Sequence, residues 1–156
     1  MTSWADNATA RMGEHGYRRG GARDAVIELL DGETCALSAY DIEASLKARR
    51  GRSVGRASVY RVLDELERLG LVNRVEVGQG IARYEPARDD HHHHHLVCAT
   101  CGDIVPFEDG PLETAIARLP KRLGFTVAEH EIVLRGECAT CASRQTSRRR
   151  NAAASP

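Results

Sequence analysis

The stretch Ser58–Val77, SVYRVLDELERLGLVNRVEV, decides the fold. Its first half carries apolar residues at the helical period, namely Val59, Val62, Leu63, Leu66 and Leu69. This pattern predicts an amphipathic helix that ends at Gly70, a residue suited to follow a helix. The period then changes, and LVNRVEV (71–77), a GQG turn and IARYE (81–85) predict two short strands joined in a hairpin.

Two further helices are predicted before this stretch. In ARDAVIELLD (22–31), four apolar residues share one helical face: Ala22, Val26, Leu29 and Leu30. In SAYDIEASLKARR (38–50), Ser38 is a suitable N-cap and Asp41 completes a variant of the capping box. Three helices and a hairpin predict a winged helix-turn-helix domain over residues 1–86. An ordinary small α+β core is the alternative, but six basic residues and no acid between Lys47 and Arg61 favour DNA binding.

The second half of the chain predicts a separate α/β domain over residues 87–142, so the fold class is α+β. The polar segment PARDD (86–90) predicts a hinge. HLVC (95–98) and IVPF (104–107) predict strands. Residues 112–123 predict a helix whose last turn is kinked or broken at Pro120. FTVAEHEIVLRG (125–136) predicts a final strand, and the basic tail, residues 143–156, is expected to be disordered.

Four of the five cysteines form two Cys-x-x-Cys pairs, which are Cys98 with Cys101 and Cys138 with Cys141. Four thiolates satisfy Zn²⁺ in a closed tetrahedral site, which is structural because it leaves no position for a substrate. The 36 residues between the pairs exceed the spacing of a compact zinc ribbon, so the intervening helix and strand must bring the pairs together. A redox Cys-x-x-Cys or two unrelated turns are the alternatives.

Five consecutive histidines, His91–His95, lie just before the first cysteine pair. An expression tag normally lies at a terminus, whereas this run is flanked on both sides by predicted structure. In an extended segment, alternate side chains point to opposite faces, so His92 and His94 lie opposite His93 and His95. The run can therefore supply ligands to two metal sites, and imidazole suits Zn²⁺, Fe²⁺, Mn²⁺, Co²⁺ or Ni²⁺.

Each of the two histidine faces has candidate partners elsewhere in the sequence. In the predicted final strand His130 shares the apolar face, and Glu113 opens the predicted helix, which gives the set His92, His94, Glu113 and His130. On the other face the nearest structured carboxylate is Glu85, at the end of the hairpin. A site of Glu85, His93 and His95 would bridge the two domains, so that a metal ion could bias their arrangement. Asp89, Asp90 and His91 in the linker are spare candidates.

The bulk composition excludes some classes of protein. Net charge is zero, 42% of residues are hydrophobic and 28% are charged. No apolar run approaches the roughly 18 residues of a membrane span, and the N-terminus lacks the apolar segment of a signal peptide. We therefore expect a cytoplasmic protein without a membrane partner.

The order of these motifs resembles the ferric uptake regulator family of bacterial metal-sensing repressors. The motifs are ASVYRVL (57–63), GLV (70–72), RYE (83–85), the histidine run with CATCG, a later histidine and the second cysteine pair, within about residues 10–142. The resemblance implies a homodimer joined by a shared sheet of the C-terminal domains. It also implies that metal binding closes the dimer on a palindromic, AT-rich operator, and that metal acts as corepressor of metal homeostasis genes.

The resemblance carries residue roles as well. The four cysteines correspond to the family's structural zinc site, and His92, His94, Glu113 and His130 to its second site. Glu85, His93 and His95 correspond to three ligands of its sensing site. The expected DNA contacts are Arg23, Arg56, Ser58, Tyr60 and Arg61. Of these, Tyr60 and Arg61 lie in the recognition helix and contact base edges, whereas Arg23 approaches the backbone.

Four features depart from the family's patterns. Ala36 lies where many members supply a histidine, with Cys35 beside it, and Pro106 lies where iron and peroxide sensors have a carboxylate. Asn73 replaces an aspartate of actinobacterial zinc sensors, and no cysteine precedes the histidine run. The sensing site therefore lacks a recognisable fourth ligand, and the regulatory ion is Zn²⁺ or Fe²⁺, with Mn²⁺ also possible.

Two other functions compete with this interpretation. A metal buffer or chaperone would explain the histidines, but not the amphipathic stripe of the third helix or the basic stretch before it. A zinc hydrolase with Glu113 as base would need H-E-x-x-H or a related motif, which the sequence lacks. We therefore expect no enzymatic activity and no small organic substrate.

Overall fold

The computed structural model describes residues 3–50, 54–78, 80–88, 92–128 and 130–144. The chain divides into two units, Met1–Asp90 and His91–Pro156. The linker candidates Asp89, Asp90 and His91, and most of the basic tail, lie outside the described residues. None of the helices within the described ranges is long and apolar enough to cross a membrane.

Within its described residues, the first unit contains four helices and three strands. They are α1 (Trp4–Glu14), α2 (Gly21–Asp31), β1 (Leu37–Ser38), α3 (Ala39–Arg50), α4 (Arg56–Arg68), β2 (Val72–Gly78) and β3 (Ile81–Pro86). The three predicted helices correspond to α2, α3 and α4, and the predicted hairpin to β2 and β3.

Helix α1 was not predicted from the sequence. Ser3 caps its N-terminus in a capping box with Asp6, and Trp4, Ala8 and Met12 are buried on one face. The indole N–H of Trp4 donates to the carbonyl oxygen of Leu71 at 2.9 Å, which ties the helix to the start of β2. The spacing of these three residues, one turn apart, was the signal available in the sequence.

Local sequence explains the start of α3 and the end of α4. The backbone N–H of Asp41 donates to Ser38 Oγ at 3.1 Å, and the N–H of Ser38 donates to Asp41 Oδ2 at 3.0 Å, so the predicted capping box is confirmed. Gly70 has a φ of +64°, the left-handed conformation that ends a helix at low cost.

The strands form a three-stranded antiparallel sheet in the order β1-β3-β2. In the hairpin Asn73 lies opposite Glu85, and Arg74 lies opposite Tyr84. The short strand β1 adds Leu37 opposite Tyr84 on the other side of β3. The hairpin is the wing of the helix-turn-helix, and β1 fixes it to the segment that leads into α3.

One hydrophobic core joins all four helices to the sheet. Val59, Val62, Leu63 and Leu66 of α4 are buried in it, as the helical period predicts, and they pack with α2 residues such as Val26 and Leu30. Recognition helix α4 is therefore fixed on its apolar face, so its opposite, polar face is presented to solvent.

The second unit contains β4 (His94–Cys98), β5 (Ile104–Phe107), α5 (Gly110–Leu123) and β6 (Val133–Gly136). Its sheet has the order β5-β4-β6, with β4 antiparallel to β5 and parallel to β6. The histidine run therefore leads directly into the central strand, and the two cysteine pairs follow the ends of β4 and β6.

Two sequence predictions for this unit are wrong. The final strand does not span residues 125–136, because only Val133–Gly136 lies beside β4, which is itself five residues long. His130 consequently precedes the strand, and its parity with Ile132 and Leu134 does not determine its direction. Helix α5 is not broken at Pro120 but continues to Leu123, where Gly124 ends it with a φ of +72°.

Candidate metal centres and DNA-binding surface

The four paired cysteines converge at one end of the second sheet. Cys98 lies at the end of β4, Cys101 in the turn that follows, and Cys138 and Cys141 just after β6. Their sulfur atoms all lie within 4.8 Å of one another, and Cys101 Sγ is 3.8 Å from Cys138 Sγ. Two sulfurs at corners of a tetrahedron with Zn–S bonds of about 2.3 Å are separated by about 3.8 Å. The cluster therefore fits Zn²⁺, and none of the five cysteines, all of which lie within the described residues, forms a disulfide.

The thiols of this cluster have unequal acidities. Hydrogen bonds from the backbone N–H groups of Cys138 and Cys101 lower the pKa of Cys98 to about 6. Hydrogen bonding with the Cys138 and Cys101 side chains raises the pKa of Cys141 to about 12. Backbone N–H groups thus favour the thiolate of Cys98, and three further sulfurs lie beside it. Such surroundings are expected of a cation site.

His92, His94, Glu113 and His130 form a second cluster of four donors. Their donor atoms also lie within 4.8 Å of one another. His94 Nε2 is 2.5 Å from Glu113 Oε1, and His130 Nε2 is 3.0 Å from Glu113 Oε2. His92 Nε2 lies only 3.1 Å from His130 Nε2. Three imidazole nitrogens directed at one carboxylate form a donor set that fits a first-row divalent ion.

Three elements position this second cluster. His94 opens β4 and is fully buried, whereas His92 precedes the strand and is exposed. Glu113 lies in the first turn of α5, whose N-terminus is capped by Asp109. Burial alone would raise the pKa of Glu113, but hydrogen bonds from His94 and His130 outweigh it and hold that pKa below its usual value. The carboxylate is therefore ionised and available to a cation.

The three residues predicted for the sensing site are divided between the two units. Glu85 lies in β3 of the first unit. His93 and His95 lie in the second, with their ring centroids 4.9 Å apart, so they share a face as predicted. Sequence reasoning missed Glu131, whose carboxylate is 3.9 Å from His95 Nδ1, beyond hydrogen-bond distance. Pro106, opposite His95 in β5, offers no side-chain ligand atom.

The predicted DNA contacts in α4 lie in its N-terminal half. Tyr60 and Arg61 are exposed on the face opposite the core, and Ser58 is half-buried beside them. Arg56, the first residue of the helix, is also exposed, and its Nε donates to Glu43 Oε2 at 2.7 Å. An exposed tyrosine and arginine at the start of this helix have the positions that base-contacting residues require.

Arg23 differs from the other predicted DNA contacts, because its side chain is mostly buried. Its Nη2 is 2.7 Å from Glu65 Oε2, its Nε donates to the same oxygen at 3.3 Å, and its Nη1 donates to the carbonyl oxygen of Arg18. The guanidinium carbon also lies 5.3 Å from the centre of the Tyr17 ring. These contacts join α2 to α4. They leave little of the Arg23 guanidinium available to a DNA phosphate.

A model of the ferric uptake regulator family matches residues 14–135. The chain belongs to the ferric uptake regulator family. The ferric uptake regulation protein of Bacillus subtilis is 30% identical over 149 residues, covering 94% of this chain and 99% of that protein. The zinc uptake regulation protein of Mycobacterium tuberculosis is 33% identical over 132 residues, covering 85% and 100%.

The fold is likewise similar to solved members of the family. The Helicobacter pylori ferric uptake regulator, which has three functional metal binding sites, is 25% identical with a TM-score of 0.77, covering 90% of this chain and 92% of that one. Family membership confirms the predicted α+β fold with a winged helix-turn-helix. It also confirms the predicted function, a metal-responsive DNA-binding repressor that regulates metal homeostasis genes with zinc and a regulatory metal as cofactors.

Proposed function

We propose that the four cysteines hold a structural zinc ion. A bound zinc ion supplies four bonds that cross-link the ends of β4 and β6, which otherwise depend on a short parallel ladder. The residues that hold it are Cys98, Cys101, Cys138 and Cys141. The spacing of 3.8 Å between Cys101 Sγ and Cys138 Sγ supports this role.

The two histidine faces serve separate purposes in this proposal. His92, His94, Glu113 and His130 hold a second ion that fixes α5 to the start of β4. Glu85, His93 and His95 are ligands of the sensing site, whose occupancy links the DNA-binding domain, residues 1–86, to the dimerisation domain, residues 87–142. Binding that favours one arrangement of two domains shifts their equilibrium by its differential affinity, with typical couplings of about 1–3 kcal/mol.

An exposed apolar surface supports the predicted homodimer. Leu96, Val105 and Leu134 are neighbours across the second sheet, and each is 45–51% exposed. In α5 and the segment after it, Leu119, Leu123 and Phe125 are also exposed. An apolar surface of this kind on a small domain marks an interface with a partner. We infer that a second copy of the chain covers it.

In the dimer two recognition helices would enter successive major grooves about one helical turn apart. Tyr60 and Arg61 then meet base edges, and Arg56 and Ser58 meet the backbone near the start of the helix. The operator is expected to be palindromic and AT-rich. The location of the protein is expected to be the cytoplasm.

The observation that carries this proposal is the presence of two four-donor clusters in the unit that accompanies a winged helix-turn-helix. The test is binding of the purified protein to the DNA upstream of its own gene, titrated with buffered free Zn²⁺ and, separately, with Mn²⁺ as an air-stable substitute for Fe²⁺. We expect operator affinity to rise with the regulatory metal. A response to Zn²⁺ alone identifies a zinc-uptake repressor, and a response to Mn²⁺ as well indicates iron or manganese sensing.

A protein that binds neither this DNA nor random genomic fragments at any metal concentration would contradict the proposal. The metal clusters would then favour the alternative function, a metal buffer or chaperone. The zinc content of the same preparation tests the structural zinc site independently of DNA binding, since the cysteine site does not depend on DNA.

A further inference from the structure

Three side chains from two helices form a cluster at the surface of the first unit, in which two residues are exposed and Glu43 is half-buried. Arg56 Nε donates to Glu43 Oε2 at 2.7 Å, and the guanidinium carbon of Arg56 lies 5.2 Å from the centre of the Tyr40 ring. Tyr40 is 63% exposed although it is a large aromatic residue, and the Arg56 side chain is 53% exposed. We call Tyr40, Glu43 and Arg56 the Tyr40 cluster.

The cluster lies at the N-terminal ends of both helices of the helix-turn-helix. Tyr40 is the second residue of α3, just after the capping residue Ser38. Arg56 is the first residue of α4, whose N-cap, Gly55, provides no side-chain cap. In helix-turn-helix proteins the first helix crosses the DNA backbone, and the N-terminal residues of the second enter the major groove. The Tyr40 cluster therefore lies where the edge of the groove, with its phosphates, would be.

We propose that the Tyr40 cluster binds a phosphate of the operator backbone, and that Glu43 competes with that phosphate for Arg56. In the free protein the Glu43 carboxylate accepts from the guanidinium. On DNA a phosphate oxygen takes its place, the Tyr40 ring holds the guanidinium by stacking, and the Tyr40 hydroxyl donates to the same phosphate. This inference rests on the proposed DNA binding and adds two residues, Tyr40 and Glu43, to the interface.

The charge balance of the first unit explains why Glu43 would affect DNA binding. The unit Met1–Asp90 carries 14 Lys and Arg residues against 15 Asp and Glu, so it has no surplus of positive charge to offer a polyanion. Its affinity for DNA then depends on where its cations lie, as in the basic stretch from Lys47 to Arg61, and on which of them are held by acidic partners. An exposed ion pair is worth only about 0.2–1 kcal/mol, so a phosphate can replace Glu43 at little cost. The ion pair of Glu43 with Arg56 therefore lowers the affinity for DNA of any sequence but does not prevent binding.

The test is the salt dependence of DNA binding by a Glu43→Gln variant. The variant keeps the shape of the side chain and removes the competing charge, so affinity for both the operator and a random duplex should rise about 1.4- to 5-fold for each protomer, the equivalent of one exposed pair. The slope of log K against log salt should become steeper by about one ion for each protomer, because Arg56 then neutralises a phosphate fully. Affinity is measured by fluorescence anisotropy across a series of salt concentrations.

The matched control is Glu67→Gln. It makes the same change of charge on the exposed face of α4, the helix of Arg56, 11 positions and so about 16 Å beyond that arginine. Affinity and slope should change much less in this control than in Glu43→Gln. Equal effects of the two variants would show a general charge effect and overturn the inference.

A double variant tests whether Glu43 acts through Arg56. Arg56→Gln alone should weaken binding and reduce the salt slope, and adding Glu43→Gln to it should then restore no more than the Glu67→Gln control does. A full Glu43→Gln effect without Arg56 would overturn the competition. Tyr40→Phe should bind more tightly than Tyr40→Leu, since it keeps the ring for stacking, and less tightly than the wild type, since it lacks the hydroxyl.

The wild-type protein is measured first, with its regulatory metal, on both duplexes. Failure of the wild type to bind either duplex would contradict the proposed function. Wild-type binding that Glu43→Gln leaves unchanged would contradict only this inference. All three positions are at the surface, and circular dichroism shows whether each variant keeps its helices.

Discussion

Cys101 Sγ lies 3.8 Å from Cys138 Sγ although the two residues are 37 positions apart. At the scale of residues, metal binding by this protein depends on ligand atoms that are distant in sequence but lie close together in the fold. The second cluster shows the same principle, since Glu113 from α5 meets His94 from β4 at 2.5 Å. Residue type sets the ion that each cluster prefers, because thiolates suit Zn²⁺ and imidazole with carboxylate accepts several divalent ions.

Replacing one cysteine should remove the structural zinc. Cys98→Ser should lose the ion, lower the Tm and weaken the dimer, because three thiolates cannot close a tetrahedral site. Zinc content by atomic absorption, a thermal scan and the elution volume on size exclusion provide the measurements. Cys35→Ser is the control and should keep its zinc. An unchanged zinc content in Cys98→Ser would show that the four cysteines do not hold it.

Arg23 should act mainly through the fold. Arg23→Gln leaves Glu65 as a buried carboxylate without its cation, which typically destabilises a protein by about 3–5 kcal/mol. We expect a large loss of stability in urea titrations, whereas the salt slope of DNA binding, measured well below the unfolding transition, should not change. Arg61→Gln is the comparison and should weaken operator binding with little effect on stability. A slope lower by one ion in Arg23→Gln would show instead a direct phosphate contact.

At the scale of elements, α1 is a short helix that was not predicted from the sequence but contributes to the core of the first unit. Trp4, Ala8 and Met12 enter the common core, and the Trp4 indole is bonded to Leu71. Helix α5 differs from α1 in this respect. None of its residues, all of which the structure describes, is buried within the chain. A helix with an apolar stripe and no buried face requires a partner surface.

Truncating the buried face of α1 should destabilise the first unit. Met12 is 1% exposed, and removal of a buried methionine side chain typically costs about 2–5 kcal/mol, so Met12→Ala should lower the midpoint of urea unfolding. Trp4 provides the signal, because it is the only tryptophan of the chain. Glu14→Ala, exposed at the end of the same helix, is the control and should change the midpoint little. Equal midpoints for the two variants would show that α1 adds nothing to the core.

A charge in the exposed apolar row should prevent dimer formation. Leu134→Asp places a carboxylate between the residues we infer to be covered by a second copy, so the variant should elute as a monomer and bind the operator much more weakly. Zinc content should remain, since the cysteines are untouched. Arg135→Asp, next along the same strand but with its side chain directed to the other face, is the control. A Leu134→Asp variant that stays dimeric would place the interface elsewhere.

At the scale of the whole molecule, the protein combines a DNA-binding unit of almost balanced charge with a metal-binding unit. We propose that the regulatory metal changes the relation between the two units. Of the proposed sensing ligands, Glu85 belongs to one unit and His93 and His95 to the other. The cysteine cluster and the cluster of His92, His94, Glu113 and His130, which we propose as the structural zinc site and the second site, lie wholly in the second unit. Sensing and structure are therefore separable by mutation.

Removing both sensing histidines should abolish the response and preserve the fold. His93→Ala combined with His95→Ala should give a zinc-containing dimer whose operator affinity no longer rises with added metal. Metal content, elution volume and the anisotropy titration are measured on one preparation. The corresponding double variant of His92 and His94 is the comparison, and it should affect the second site instead. Loss of all zinc from the His93 and His95 variant would contradict the division into separate sites.

The sequence by itself predicted the winged helix-turn-helix and the capping of α3, because helical periods and turn residues are local patterns. It also predicted which residues meet in the two four-donor clusters, although the strand from which His130 was chosen is wrong. It did not determine where the final strand begins, since a strand extends only as far as its partner β4 allows. Nor could it show that Arg23 is held by Glu65, 42 positions away, or that Glu43 holds Arg56. Those contacts depend on the packing of separate helices around one core, which brings together residues that no local pattern connects.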